Sequence, residues 1–149
     1  MQLAMARALE LADQAANWGD VPVGAVVLDP EGAIVGEGAN RREADSDPTA
    51  HAEVLALRQA AARQSQWRLD GHTLVVTLEP CAMCAGATVL ARIETLVFGA
   101  FDDKAGATGS LWDIPRDPRL NHTVEVVPGV EAAQASAQLT EFFDKQRRG

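Results

Sequence analysis

A nearly continuous apolar run that leads directly into a helix is the feature of this sequence that most constrains its fold. Residues 73–79, TLVVTLE, do not alternate between polar and apolar side chains, which is typical of a strand covered on both faces. The next segment, PCAMCAGATVLARI, predicts a helix that begins at Pro80. A strand covered on both faces needs helices on both sides of its sheet, so we expect an α/β protein.

The other segments continue this alternation of helices and strands. Apolar residues at three- and four-residue spacing over residues 2–17 predict an amphipathic helix, and VPVGAVVLD and AIVGEG predict a hairpin. Asp47 is predicted to cap a second helix that has Pro48 at its first position. The runs TLVFGA and TVEVV predict two more strands around a Gly- and Pro-rich connection, and a helix is predicted near residues 130–147.

This order of elements predicts a three-layer α-β-α sandwich around a five-stranded mixed sheet. The length of 149 residues suits one domain with a single core, so we expect residues 1–149 to form one domain. The three tryptophans, Trp18, Trp67 and Trp112, are predicted to be packing residues.

Composition narrows the class of function. The formal net charge of -8 argues against a broad electrostatic surface for nucleic acid, although local basic groups remain, such as Arg41 with Arg42 and those at the C-terminus. No apolar run is long enough for a membrane span, and the opening residues do not resemble a signal peptide. The two cysteines lie three positions apart and cannot form a disulfide framework, so we expect a reducing, cytoplasmic location.

Three residues have the chemistry of a catalytic zinc site. Cys81 and Cys84 share one face of a predicted first helical turn, where the helix N-terminus favours their thiolates. His51, at a second predicted helix start, adds an imidazole, which completes the three protein ligands that a catalytic zinc requires. Glu53 lies beside this group and is predicted to act as the general acid and base.

A pair of cysteines at this spacing has other interpretations when taken alone. It is also found as a thiol redox pair or as half of a structural zinc site. The combination with His51, Glu53 and Pro80 matches the signature H-x-E followed by P-C-x-x-C of the zinc nucleobase deaminases. A binding module that uses zinc only structurally stays a second hypothesis, and it predicts a fourth protein ligand.

Longer segments extend this match over nearly the whole chain. With them the sequence resembles the bacterial tRNA-specific adenosine deaminases of the cytidine deaminase-like superfamily. The segments are VPVGAVV, GEGANR, DPTAHAEVLALRQA, TLEPCAMCAGA, RIETLVFGAFDDKAGATGSL, LNHTVEV and EFFDKQRR. Deaminases of free guanine, cytidine or deoxycytidylate share the metal signature and remain the nearest alternative.

The resemblance implies a hydrolase that converts adenosine to inosine at the wobble position of a tRNA anticodon, with an arginine tRNA as the substrate. It implies a zinc-activated water, a glutamate proton shuttle, and a homodimer with one Zn²⁺ per subunit. Carried over by position, it implies that Asn40 contacts the nucleoside, that Val23 packs against the purine and that the Ala52 backbone reads the base edge. Asp102 and the tail from Phe142 to Arg148 would meet the flanking RNA.

Overall fold

The sheet at the centre of the protein contains both parallel and antiparallel strands. The computed structural model describes all residues from Met1 to Gly149. The strands have the order β2-β1-β3-β4-β5, in which β3, β4 and β5 run parallel and β1 pairs antiparallel with both β2 and β3. In chain order the elements are α1 (Gln2–Asn17), β1 (Gly24–Leu28), β2 (Ile34–Ala39), α2 (Ala52–Gln64), β3 (Thr73–Leu78), α3 (Ala82–Leu90), β4 (Thr95–Ala100), β5 (Glu125–Val127) and α4 (Ala132–Arg148). The predicted element order and the mixed sheet are confirmed.

Two apolar cores lie on opposite faces of this sheet. Successive side chains of a strand point to opposite faces, so Leu74 and Val76 pack in the core beneath α2 and α3, whereas Val75 packs beneath α1 and α4. All three are fully buried. The continuous apolar pattern of β3 therefore arises because both of its faces are covered, and the three-layer sandwich is confirmed.

Glycines in β2 let α2 lie directly against the sheet. A Cβ atom on Gly36 would stand 2.3 Å from the carbonyl oxygen of Ala56, and one on Gly38 would stand 2.3 Å from that of Ala52. Real side chains do not approach backbone this closely, so only glycine permits the contact. The close packing fixes the first turn of α2 against the end of β2.

Both helices near the pocket begin later than predicted. The prediction that Asp47 caps α2 with Pro48 at its first position is wrong, because α2 begins at Ala52 and its N-cap is His51. Asp47 instead accepts hydrogen bonds from the backbone nitrogen and the hydroxyl of Thr49, which closes a separate turn. In the same way α3 begins at Ala82 with Cys81 as its N-cap, so the predicted start at Pro80 is also too early.

Two tryptophans do not pack as predicted. Trp67 is 62% exposed and Trp112 is 64% exposed, so the prediction is wrong for both. Trp18 is 37% exposed, and its indole nitrogen donates a hydrogen bond to the carbonyl oxygen of Asn40. None of the four helices is both long and apolar enough to cross a bilayer.

Candidate metal centre and substrate pocket

The three predicted metal ligands converge from two helix starts. The Nδ1 atom of His51 lies 3.6 Å from the sulfur of Cys81 and 3.5 Å from the sulfur of Cys84. All three donor atoms lie within 4.8 Å of one another, and no further histidine, cysteine, aspartate or glutamate joins the group. Because His51 and Cys81 are both N-caps, they stand at the open ends of their helices, where the positive ends of the helix dipoles meet.

The distances within this group fit one zinc ion. Tetrahedral zinc has bonds of about 2.3 Å to sulfur and about 2.0–2.1 Å to nitrogen, which separates the two donor atoms by roughly 3.5 Å. The measured separations of 3.6 and 3.5 Å agree with this value. Two thiolates and one imidazole are a donor set that zinc prefers, and three protein ligands are the number found in catalytic sites.

The two thiols and the His51 imidazole shift one another's pKa values. A hydrogen bond from Cys84 lowers the pKa of Cys81 to about 3, and His51 contributes to the same shift. That hydrogen bond, together with burial, raises the pKa of Cys84. Cys81 in turn raises the pKa of His51 above its usual value. A cation at the centre of the group would favour the thiolate form of both cysteines.

Glu53 is buried next to the thiolate with few hydrogen-bond partners. It is the second residue of α2 and only 4% exposed. Burial raises the pKa of its carboxyl to about 7, while its own backbone nitrogen, His51 and the Cys84 thiol act in the opposite direction. A carboxyl group with a pKa near neutrality can both accept and return a proton, which is what general acid–base catalysis requires.

A pocket of about 200 Å³ opens above the metal ligands. It lies where β3 and β4 end and where β1 begins, which is where open α/β sheets bind their ligands. Its lining residues are Val21, Val23, Asn40, Arg42, His51, Ala52, Glu53, Leu78, Glu79, Cys81, Asp102 and Ala105. Seven of the eight residues predicted for the site therefore line one pocket, and the eighth, Cys84, is buried beside His51.

The amide of Asn40 is held in place before any substrate arrives. Its nitrogen donates to the carbonyl oxygen of Val21, and its oxygen accepts from the backbone nitrogen of Arg42. One amide hydrogen and one lone pair remain for a ligand, because the amide of asparagine offers two donors and two lone pairs. In the next residue, Arg41, the guanidinium lies 4.6 Å from the ring centre of Trp18.

Two buried carboxylates that support the pocket were not predicted from the sequence. Asp20 accepts hydrogen bonds from the backbone nitrogens of Glu43 and Ala44 in the loop between β2 and α2. Glu79 accepts hydrogen bonds from the loop between β4 and β5. The one sequence feature that could have indicated such a residue was Glu79, an acidic residue at the end of the otherwise apolar run of β3.

Fold and site together define a class of protein. A three-donor metal group with a buried carboxylate beside it, set in a pocket, is the machinery of a hydrolase that uses one metal ion. Residues 1–100 match the family described as the cytidine and deoxycytidylate deaminase zinc-binding region. The chain belongs to this family of zinc-dependent deaminases.

Individual relatives agree with this assignment. The tRNA-specific adenosine deaminase of Haemophilus influenzae is 52% identical over 143 residues, which cover 96% of this chain and 83% of that protein. A structure from a study of A-to-I editing by tRNA:A34 deaminases at the wobble position of transfer RNA superposes with a TM-score of 0.90 at 37% identity. It covers 93% of this chain and 100% of that one. The expected cytidine deaminase-like fold is confirmed.

The fold is shared with a deaminase of a free base. The guanine deaminase of Nitrosomonas europaea superposes with a TM-score of 0.78 at 30% identity, and the match covers 95% of this chain and 83% of that one. Both kinds of relative therefore use the same sandwich, and the fold alone does not separate their substrates.

Proposed function

We propose that this chain converts adenosine to inosine by hydrolysis at the wobble position of a tRNA anticodon. The observation that carries the proposal is the placement of the Glu53 carboxyl and the His51–Cys81–Cys84 group in one pocket of about 200 Å³. The likeness to the Haemophilus influenzae enzyme, at 52% identity, supports RNA as the substrate class. Because adenosine C6 is not accessible in a base stack, the target nucleotide has to be flipped into the pocket.

Glu53 transfers the protons of the reaction. When bound, the zinc ion would act as a Lewis acid and would lower the pKa of the attacking water toward about 7. Glu53 accepts a proton from the attacking water and delivers it to N1 of the purine. The water oxygen bonds to C6, and the bond from C6 to the exocyclic nitrogen breaks. Glu53 passes the second proton to that nitrogen, so ammonia leaves and inosine remains.

The remaining predicted residues orient the nucleoside. Asn40 is assigned to the nucleoside because its fixed amide faces the pocket with a free donor and a free lone pair. Val23 gives an apolar wall for the purine, and the Ala52 backbone, at the start of α2, is assigned to the base edge. Asp102 also lines the pocket and is assigned to the flanking nucleotide.

Flanking RNA would lie along a modest basic rim. Arg42 lines the pocket, Arg41 precedes it in the chain, and α4 ends in Lys145, Arg147 and Arg148. A net charge of -8 does not favour broad binding of phosphates. A single-stranded loop is recognised mainly through splayed bases, stacking and hydrogen bonds, so a few local basic groups suffice.

One experiment separates this function from its alternatives. The zinc-loaded protein is incubated with an anticodon stem-loop that carries adenosine at the wobble position, with a stem-loop that carries it one position away, and with free adenine, guanine and cytidine. Sequencing should detect inosine only at the wobble position. Turnover of a free base without RNA would assign the chain to the free-base deaminases. No turnover by fully zinc-loaded protein would favour the binding module.

We further propose that residues 1–149 form one deaminase domain, acting as a cytoplasmic homodimer on an arginine tRNA. An apolar groove between α2 and α3, bordered by Leu57, Trp67 and Leu90, is the surface assigned to the second copy. Leu90 is 69% exposed there. Sedimentation equilibrium should give a dimer that Leu90→Asp converts to a monomer.

Stem-loops from several tRNAs, assayed in parallel, should show the highest turnover for the arginine anticodon.

A further inference from the structure

Glu79 is a buried carboxylate that the proposed reaction does not use. It follows the last residue of β3 and is only 2% exposed. None of the ion pairs in the structure includes it. A buried charge without a cation is costly unless hydrogen bonds replace its hydration, so its partners indicate what it does.

All of those partners lie in the loop between β4 and β5. One carboxylate oxygen accepts from the backbone nitrogen of Asp102 at 3.0 Å and from the hydroxyl of Ser110. The other oxygen accepts from the backbone nitrogens of Thr108 at 3.1 Å and of Ser110 at 3.0 Å. Hydrogen bonds to a charged acceptor are stronger than neutral ones. One side chain therefore joins both ends of the segment from residue 102 to residue 110.

The absence of a side chain at Gly106 leaves space in the loop for the Glu79 carboxylate. A Cβ atom on Gly106 would stand 2.3 Å from the carboxyl carbon of Glu79 and 2.5 Å from the carbonyl oxygen of Asp102. No other residue type fits there without moving the loop or the carboxylate. Ala107 adds a backbone hydrogen bond of 2.8 Å to the carbonyl oxygen of Pro80. The loop is thus held against the chain segment that leads into Cys81.

The same loop contributes to the pocket lining. Asp102 and Ala105 are among the residues that line it. The Asp102 carboxylate accepts hydrogen bonds from the backbone nitrogens of Lys104 and Ala105, so its orientation follows that of the loop. If the anchor is lost, this part of the lining moves, whereas Glu53 and the ligands stay on their helices.

We propose that Glu79 is a positioning residue for substrate: it holds the segment from residue 102 to residue 110 so that Asp102 meets the nucleotide flanking the target base. The inference rests on the proposed function for the identity of that nucleotide. It assigns Glu79 to recognition and leaves proton transfer to Glu53. A defect at Glu79 should therefore weaken binding of RNA, while metal content and the chemical step are preserved.

The first test measures the loop without any reaction. In Glu79→Gln, two of the four loop donors would face an amide NH₂ group in place of an acceptor. Hydrogen exchange at the amides of Thr108 and Ser110 should become at least about tenfold faster, which corresponds to a loss of roughly 1.4 kcal/mol of protection. Trypsin cleavage after Lys104 should accelerate likewise, and zinc should remain at one per chain. Glu31→Gln, the same change at an exposed turn, is the control.

The second test separates an effect on RNA binding from an effect on the chemical step. With an anticodon stem-loop, Glu79→Gln should raise KM by roughly 5- to 150-fold, as expected for the loss of 1–3 kcal/mol of interaction, and change kcat by less than about threefold. Ser110→Ala keeps three of the four hydrogen bonds and should give a smaller effect in the same direction. Gly106→Ala disturbs the same contact, so its effect should not add to that of Glu79→Gln.

The outcomes separate the inference from the function on which it rests. Unchanged exchange and proteolysis in Glu79→Gln would overturn the anchor, whatever the activity. A fall in kcat together with loss of zinc would overturn the assignment to recognition, because it would place Glu79 in support of the metal ligands. If the wild-type protein deaminates no RNA, the proposed function fails, and the exchange experiment still decides whether Glu79 holds the loop.

Discussion

Two regions of the molecule, the start of α2 and the end of β3, each bury one glutamate beside the same pocket. Glu53 is reached only by its own backbone nitrogen and the Cys84 thiol, and burial raises its pKa to about 7. Burial acts on Glu79 in the same direction, yet hydrogen bonds from Ser110, Asp102 and Thr108 outweigh it and lower its pKa. Both residues are almost inaccessible to solvent, and the hydrogen-bond donors around Glu79 contribute to the opposite direction of its pKa shift.

The difference shows how one pocket can keep proton transfer apart from recognition. A carboxylate that accepts four hydrogen bonds is stabilised in its charged form and holds its neighbours in place. A carboxyl group with few donors keeps a pKa at which it exchanges protons near neutral pH. The roles that we propose for Glu53 and Glu79 are assigned from their partners, since both residues line the same pocket.

The largest expected effect comes from removing the metal that gives Glu53 its task. Cys84→Ser keeps the shape of the buried side chain but replaces a zinc-preferring sulfur. We expect zinc content to fall well below one per chain and deamination to become undetectable. Chelator should lower the melting temperature of the wild type but not of this variant, because a ligand stabilises only a protein that binds it. Full zinc occupancy in Cys84→Ser would contradict the three-ligand site.

The comparison of the two glutamates is sharpened by making the same substitution at each. Glu53→Gln should lower kcat by about 10²- to 10⁴-fold, the usual contribution of a general acid–base, with zinc retained. Glu79→Gln serves as the matched variant and should change KM far more than kcat. Metal analysis and steady-state kinetics on both proteins provide the measurement. Equal losses of kcat would mean that the two carboxylates do not have separate roles.

The metal centre could be predicted from the sequence because its determinants are local. Two short sequence patterns contain the site: His51 with Glu53, and Cys81 with Cys84. Each pattern lies at the start of a helix. Small errors in the predicted helix starts did not matter, since His51 and Cys81 still lie at helix starts, as N-caps, and Cys84 lies in the first turn of α3. The covering of β3 by helices on both faces could also be predicted, because a fully apolar strand has only one kind of environment.

The supports of the pocket could not be predicted because they join distant parts of the chain. Asp20 meets its donors 23 and 24 residues away, and Glu79 meets its donors between 23 and 31 residues away. No periodicity or local spacing encodes which backbone nitrogens a carboxylate will meet. An acidic residue in an apolar run indicated only that a partner must exist.

A smaller effect tests whether the loop between β2 and α2 is held in the same way as the loop at Glu79. Asp20 is fully buried and accepts from the backbone nitrogens of Glu43 and Ala44. Asp20→Ala leaves both donors without a partner and should lower the free energy of unfolding by about 1–3 kcal/mol, measured in urea. Asp29→Ala is the matched control, since Asp29 also accepts from two backbone nitrogens but in an exposed turn. Equal losses in the two variants would show that burial adds nothing to the anchor.

The smallest effect concerns a carboxylate whose partner is a cation at the surface. Glu37 is partly exposed, and hydrogen bonds from Arg7 at 2.6 and 3.0 Å lower its pKa. A pKa that is lower in the folded protein contributes stability above the unfolded value of about 4.3, and this contribution is lost as the pH falls through the folded value. Glu37→Gln should therefore cost about 0.2–1 kcal/mol near neutral pH and nearly nothing in acid. Urea unfolding from about pH 6 to about pH 3 measures this difference, and a cost that stays constant over the range would contradict the assignment of the lowered pKa to Arg7.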